Sequence, residues 1–283
     1  GIALKHGGCI EYSLDLIDEI WTDRPPLSEK PAFELDVKYA GKTVADKLSD
    51  IREKMAAAEA DMHVVTTIDD ICWTLNIRGD DIDFFPLILS YALMDDKAYH
   101  LYIDERKLSD EIKAHLTADG VVLHPYNDIY EDIKHIPADA KLMLDASKVN
   151  YAMFCNIPDS VKKIDVMNPE MIFKNVKNPV ELENIRKAQI KDSIAHLRFM
   201  KWLKENVGKI EMTEISVSDK LDEFRKEMGN FIRPSFEPIS SYGAHAAIVH
   251  YAPTPESDIP VLPKGMHLTD TGAGFYEGST DIT

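Results

Sequence analysis

Cysteine is the first residue type of which this chain has little. Its 283 residues include three cysteines, Cys9, Cys72 and Cys155, which lie far apart and form no CxxC pair. Structural zinc sites and disulfide frameworks both need several cysteines at characteristic spacings. The sequence therefore argues against a zinc ribbon and against a disulfide-stapled secreted domain. It predicts reduced thiols and a cytoplasmic location.

Long apolar runs and positive charge are also scarce. No run approaches the roughly 20 apolar residues that cross a bilayer, and the N-terminus has no basic segment followed by an apolar stretch. Acidic residues number 49 against 32 basic ones, which gives a net charge of −17. Such a charge disfavours binding to nucleic acid and to anionic membranes. We expect neither nucleic acid nor a membrane as a partner.

What the chain does have is apolar content and a regular alternation of segments. Hydrophobic residues make up 45% of the sequence, and 283 residues correspond to about two domains. From about residue 38 to 176, a helical period at 44–60 alternates with strand patterns at 61–67, 98–104, 120–124 and 140–145. This alternation predicts a mixed sheet with helices on its faces.

Two seams divide the sequence. Three prolines within residues 23–31 are typical of a linker, and residues 12–21 before it have a helical apolar period with Ser13 as a candidate N-cap. At the second seam, Asn178, Pro179 and Glu181 form a predicted capping box at the start of a long helix. A further helix is predicted at 213–228. We therefore divide the chain into residues 1–30, 31–177 and 178–283.

The C-terminal stretch carries the candidate metal ligands. Asp270 and Asp281 lie eleven positions apart around a glycine-rich turn, between flanks that alternate like strands. Divalent cations bind carboxylate oxygens, and a close metal pair needs a bridging carboxylate. A tight turn centred on Glu277 and Gly278 would put Asp281 opposite Gly274, roughly 13 Å from Asp270. The carboxylates converge if the turn lies nearer Phe275 and Tyr276 or if the strand bends; the alternative is a surface hairpin with solvated aspartates.

Residues 268–283 closely resemble the metal-binding hairpin of the Xaa-Pro aminopeptidases, in the family that includes prolidase and methionine aminopeptidase. Residues 67–82, 177–186 and 246–253 resemble three further segments of these enzymes in the same order. The resemblance implies an α/β and α+β fold, with a mixed-sheet creatinase/prolidase-type N-terminal domain followed by the start of a pita-bread catalytic domain. It also implies that the chain is a fragment that lacks both ends.

The resemblance assigns roles to three residues. Asp270 would ligate one of two divalent ions and Asp281 would bridge both, with manganese the usual metal and zinc or cobalt the alternatives. The ions would activate a water molecule for attack on the carbonyl that precedes proline. His250, expected on a strand, would line the active site and donate to the carbonyl oxygen; the alternative is a strand-edge histidine bonded to backbone. His267 is expected on the strand face opposite Asp270.

The implied function is that of a Xaa-Pro aminopeptidase, an exopeptidase that releases the N-terminal residue from peptides with proline in second position. A histidine and two glutamates are expected beyond Thr283, so the ligand set here is incomplete and the fragment is predicted to be inactive. Its hairpin from Asp270 to Asp281 is predicted to be frayed or held by crystal packing. The full-length protein is expected to form a homodimer. Two alternatives stay open: a prolidase that acts on Xaa-Pro dipeptides, and a catalytically inactive pita-bread binding scaffold.

Arg78 is a further residue of interest because it precedes Gly79 in an Asn-Ile-Arg-Gly-Asp-Asp segment. A turn at this glycine would present the guanidinium to a carboxylate of a peptide or of a partner subunit. The favoured alternative is a structural ion pair with Asp80 or Asp81.

Overall fold

The structure is a computed structural model that describes residues 2–9, 11 and 16–283. Its α-helices are α1 (Ile2–Lys5), α2 (Leu16–Ile20), α3 (Val37–Ala40), α4 (Val44–Ala57), α5 (Ile68–Thr74), α6 (Asp110–Ala118), α7 (Ile129–Asp132), α8 (Tyr151–Asn156), α9 (Pro169–Asn175), α10 (Pro179–Asn206) and α11 (Glu214–Glu227). The predicted cap Ser13 lies outside the described residues.

The strands include the four predicted from their alternation, β2, β5, β6 and β7. In chain order they are β1 (Phe33–Glu34), β2 (Met62–Val65), β3 (Ile77–Arg78), β4 (Ser90–Met94), β5 (Tyr99–Ile103), β6 (Val121–His124), β7 (Lys141–Leu144), β8 (Lys162–Asp165), β9 (Phe231–Pro234), β10 (Ile239–Tyr242), β11 (His267–Asp270), β12 (Ala273–Phe275) and β13 (Gly278–Ser279). The sequence did not reveal β4 and β8; β8 is an edge strand rich in charge, which is how proteins protect such edges.

A six-stranded mixed sheet forms the centre of the N-terminal unit, in the order β6-β5-β4-β2-β7-β8. Strand β4 is antiparallel to β2 and β5, whereas β5–β6, β2–β7 and β7–β8 are parallel. Leu48 of α4, Ile71 of α5 and Leu116 of α6 are buried in one apolar cluster. Ile129 of α7 and Met153 of α8 are buried in a second. The predicted sheet with helices on its faces is confirmed.

The C-terminal unit begins with α10, and its capping box is present as predicted. The Asn178 side chain accepts hydrogen bonds from the backbone N–H groups of Val180 and Glu181, both at 2.9 Å. In return the Glu181 carboxylate accepts from the backbone N–H of Asn178 at 2.8 Å. These bonds satisfy donors that a helix start leaves unpaired.

The buried side of α10 is not its most apolar side. Its buried residues are Asn184, Ala188, Asp192, Ala195 and Phe199. Of the apolar positions with helical period, Leu182, Ile194, Leu197 and Met200 are exposed. Polar residues can face inward here because they have partners: Asn184 donates to the Lys38 carbonyl at 2.8 Å, and Asp192 pairs with an arginine.

Contacts between the two units involve the tip of the C-terminal hairpin. The ring of Tyr276 lies 5.6 Å from that of Phe33 and 5.8 Å from that of Tyr39. Arg233 on β9 forms an ion pair with Asp80 of the N-terminal unit. The hairpin therefore touches the N-terminal unit with its tip and belongs to the C-terminal unit with its base.

Candidate metal and active site

The register of the hairpin brings Asp281 close to Asp270 along the strands. Phe275 pairs with Gly278 and Gly274 with Ser279, so the turn is centred on Tyr276 and Glu277. An isolated bridge between Thr271 and Ile282 continues the same register. Asp281 thus lies opposite Gly272, two residues from Asp270, and not opposite Gly274. The expectation of a frayed hairpin is wrong for this structure, since the two arms are paired.

The absence of a side chain at Gly272 lets neighbouring segments pack tightly against the base of the hairpin. A Cβ atom at this position would lie 2.1 Å from Ser235 Oγ and 2.2 Å from the Thr280 carbonyl oxygen. Ser235 itself donates to that carbonyl at 2.8 Å, and its backbone N–H donates to the Gly272 carbonyl at 3.1 Å. The loop before β10 therefore presses directly against the base of the hairpin.

A buried ion pair fixes the residues beside both aspartates. Arg225 of α11 and Asp192 of α10 are fully buried and lie 2.8 Å apart, from Nε to Oδ1. Arg225 Nη2 also donates to Thr271 Oγ1 at 2.8 Å, and Thr280 Oγ1 donates to Asp192 Oδ2 at 2.5 Å. Thr271 follows Asp270 and Thr280 precedes Asp281. The two helices thereby hold both arms of the hairpin at the level of the candidate ligands.

His250 lies in a turn and not on the expected strand. The segment after β10 forms a 3₁₀ helix at Gly243–Ala247, and His250 follows it with a φ of 59°. Positive φ is uncommon outside glycine, although histidine adopts it more often than most residues. The short alternation of residues 248–251 is therefore a turn in which His250 is exposed.

Asp270, Asp281 and His250 nevertheless line one cavity. It has a volume of about 380 Å³ and is completed by Phe236, Glu237, Ile239 and Ala252. Glu237 is a third carboxylate at this cavity that the sequence did not single out, because it follows no recognisable motif. Among residues 2–9, 11 and 16–283, no group of three or more His, Cys, Asp or Glu side chains is arranged to hold a metal ion.

Glu214 organises the wall that carries His250, a role that has no signal in the sequence. Its buried carboxylate accepts hydrogen bonds from the Tyr251 hydroxyl at 2.8 Å and from the Tyr242 backbone N–H at 2.5 Å. His245 Nδ1 lies 3.1 Å from the same carboxylate. Because Tyr251 directly follows His250, its hydrogen bond to the Glu214 carboxylate holds the turn that carries His250.

His267 stays away from the candidate metal ligands. It pairs with Tyr242 at the far end of β11 from Asp270, and its Nε2 lies 3.0 Å from Ser240 Oγ. Burial lowers the pKa of His267 below its usual value. It does not line the cavity of Asp270 and Asp281.

Family models match the chain in two consecutive parts. Residues 23–181 match the creatinase/prolidase N-terminal domain, and residues 183–283 match metallopeptidase family M24. The chain belongs to the proteins with a creatinase/prolidase N-terminal domain, and the rest of it matches metallopeptidase family M24. The resemblance and the fold class inferred from the sequence are confirmed.

Two curated relatives of this chain are named as aminopeptidases. A probable Xaa-Pro aminopeptidase P of Sordaria macrospora is 35% identical over 99% of this chain and 48% of its own length. Xaa-Pro aminopeptidase 1 of Dictyostelium discoideum is 34% identical over 96% of this chain and 44% of its own. The chain therefore spans about half the length of the curated relatives that it matches.

A solved structure shares this fold closely. The X-prolyl aminopeptidase of Caenorhabditis elegans, described as a cytosolic enzyme with a di-nuclear active site, matches with a TM-score of 0.89 and 33% identity. The match covers 95% of this chain and 45% of that one. Among the described residues of this chain, no helix has both the length and the apolar composition needed to traverse a bilayer.

Proposed function

We propose that the full-length protein is a metal-dependent Xaa-Pro aminopeptidase. The observation that carries the proposal is the convergence of Asp270, Asp281 and His250 on one cavity, in the part of the chain that matches family M24. Proline in second position removes an amide hydrogen and fixes φ, which explains why a dedicated site is needed for such peptides. We also propose the domain division at residues 30/31 and 177/178.

The donor set fits divalent metal ions. Asp270 and Asp281 offer the carboxylate oxygens that these ions prefer, and neither is withdrawn into the buried Asp192–Arg225 ion pair. Asp270 and Asp281 would hold the ions, with manganese proposed and zinc or cobalt as the alternatives. When bound, the metal pair would activate water and polarise the scissile carbonyl. Because a metal pair takes more ligands than two carboxylates, we expect the 283-residue chain alone to bind metal weakly and to lack activity.

His250 would contact the substrate and would not bind the metal. An exposed imidazole on the cavity wall can donate an N–H to the carbonyl oxygen on which negative charge develops. The Tyr251–Glu214 hydrogen bond would hold the turn in place during this step. His250 is thus the proposed catalytic residue, and Tyr251 and Glu214 are positioning residues.

The cellular location and the oligomeric state of the full-length protein are also proposed. We propose a cytosolic homodimer that acts on proline-containing peptides. The cytosolic description of the Caenorhabditis elegans relative supports the location, and the net charge of −17 argues against nucleic acid as a partner. Light scattering coupled to size exclusion would measure the mass of the full-length protein directly.

The deciding experiment measures release of the N-terminal residue from an Arg-Pro-Pro peptide by the full-length protein, with and without manganese. Removing one oxygen ligand with Asp281→Asn is expected to abolish metal-dependent cleavage. Asp219→Asn makes the same chemical change at an exposed site on α11 and is expected to leave the rate unchanged. The 283-residue chain, assayed alongside, is expected to be inactive.

The two alternatives predict other outcomes. A prolidase would cleave an Xaa-Pro dipeptide but not the Arg-Pro-Pro peptide. A binding scaffold would cleave neither substrate with manganese, zinc or cobalt. Equal activity in the wild type and Asp281→Asn would remove Asp281 from the metal site.

A further inference from the structure

A second cavity lies between the two units, where the hairpin faces the N-terminal unit. It has a volume of about 200 Å³, and its walls include residues 274–279 of the hairpin. Five cationic side chains and two carboxylates contribute to its lining: Lys47, Arg78, Lys174, Lys177, Arg233, Glu181 and Glu277. This excess of positive charge is notable in a chain with a net charge of −17.

Several of these charges already have partners. Arg233 pairs with Asp80, Lys174 with Asp70 at 2.7 Å, and Glu277 with Lys191 at 2.6 Å. When these paired side chains are excluded, the lining retains three cations, Lys47, Arg78 and Lys177, and one carboxylate, Glu181. The cavity therefore keeps an unbalanced positive charge.

Arg78 does not make the ion pair that the sequence favoured. Asp80 pairs with Lys30 and Arg233, and Asp81 pairs with the buried Lys107 at 2.6 Å. Arg78 uses Nη1 to donate to the carbonyls of Cys72 and Ile77, at 2.8 and 2.9 Å. Within the described part of the chain, its Nε and Nη2 groups have no hydrogen-bond acceptor.

Lys47 is buried beside Arg78 without a carboxylate of its own. Its side chain is 1% exposed, and its Nζ donates to the Trp73 carbonyl and to Asn76 Oδ1, both at 2.6 Å. The ammonium also lies 4.1 Å from the centroid of the Trp73 ring. Burial, together with the charge of Arg78, lowers the pKa of Lys47 to about 7. Two neighbouring cations at low dielectric are costly unless an anion joins them.

We propose that this cavity is a binding site for a small anion, a phosphate or a carboxylate, held by Arg78, Lys47 and Lys177. The free edge of a guanidinium suits the paired oxygens of such groups. Lys177 is exposed, so the site is reached from solvent. A volume of about 200 Å³ admits inorganic phosphate or a short carboxylate but is small for a nucleotide. The site is separate from the cavity of Asp270 and Asp281.

Calorimetric titration and thermal unfolding of the 283-residue chain would test the site, with sodium phosphate in one arm and sodium acetate in the other. Sodium chloride keeps the ionic strength constant, and the pH is held at 6.5, on the acidic side of the Lys47 pKa of about 7, to favour its charged form. At least one anion is expected to bind and to raise Tm progressively with the logarithm of its concentration above the Kd. Arg78→Gln and Lys177→Gln are each expected to weaken the Kd about tenfold, the value of one charge-assisted hydrogen bond.

Arg106→Gln is the matched control because it removes an arginine from an exposed cluster with Asp104 and Glu29. It is expected to bind the anion like the wild type. Failure of both anions to bind the wild type would overturn the proposal, as would equal affinity in all three variants. Should circular dichroism show that Arg78→Gln does not fold, Lys177→Gln decides, since its side chain is exposed. Because no metal or peptide is present, the result is independent of the proposed peptidase activity.

Discussion

At the scale of single residues, the base of the hairpin depends on the absence of a side chain at Gly272. Ser235 Oγ and the Thr280 carbonyl occupy the space that a Cβ would need. Their hydrogen bond ties the loop before β10 to the arm that carries Asp281. A glycine here thus permits close contact between three backbone segments, which is a different use from adopting positive φ.

Gly272→Ala is therefore expected to lower the free energy of unfolding by about 2 to 4 kcal/mol, as overpacking and a lost hydrogen bond combine. Gly274→Ala is the matched control, two residues along the same arm. There a Cβ would meet only the Arg233 carbonyl, at 3.3 Å, and the expected loss is below about 1 kcal/mol. Urea unfolding of the two variants measures the difference. Similar midpoints would contradict the steric argument.

At the scale of elements, α10 and α11 are joined by two ion pairs of very different surroundings. Asp192 and Arg225 are buried and also bind Thr280 and Thr271 of the hairpin. Arg198 and Glu227 join the same helices at 3.3 Å but are more than half exposed. Both ion pairs connect the same two helices but differ in burial. Comparing them therefore isolates the effect of burial on the stability that an ion pair contributes.

Asp192→Asn is expected to cost about 3 to 5 kcal/mol because it leaves the Arg225 charge buried without its counter-ion. Glu227→Gln is expected to change stability by less than about 1 kcal/mol, since exposed ion pairs contribute little. Thermal unfolding in low salt gives both values. A loss in Glu227→Gln as large as that in Asp192→Asn would mean that the inner pair has no special role.

The same elements explain how far the sequence could predict this molecule. Local signals were sufficient for α10, where Asn178 and Glu181 define the start, and for the buried strands, which are short segments rich in apolar residues. Tertiary contacts were not predictable from the sequence. Helix α10 buries Asn184 and Asp192 because residues distant in the sequence form a hydrogen bond and an ion pair with them. The period of its apolar residues alone would predict that a different face of the helix is buried. The pairing of Asp281 with Gly272 depends on a turn one residue earlier than the glycine pattern favoured. Glu214 has no local signal, because its partners lie 28 to 37 residues further along.

At the scale of the whole molecule, the two units share polar and aromatic contacts across their boundary. Asn178 caps α10 and also donates to the Ala40 carbonyl at 2.8 Å. The Trp73 indole donates to the Glu181 carboxylate at 3.1 Å. With Tyr276 set between Phe33 and Tyr39, these contacts couple the folding of both units.

We expect one cooperative thermal transition for the chain, with equal calorimetric and van't Hoff enthalpies. Tyr276→Ala removes two ring contacts, each of about 0.5 to 1.5 kcal/mol beyond area burial. In that variant we expect the transition to broaden or divide, measured by differential scanning calorimetry. Phe85→Ala truncates an exposed ring on the N-terminal unit and is expected to keep a single transition. Two separate transitions in the wild type would refute the coupling.

The tip of the hairpin also restricts how this protein can be recombined. A chimera that joined the N-terminal part of one relative to the peptidase part of another at residue 177 would preserve every helix and strand of each parent. It would nevertheless place Tyr276 from one lineage against the residues at positions 33 and 39 from the other. Exchange of whole domains at this seam therefore requires that these three positions be inherited as a set, although 243 residues separate the first from the last.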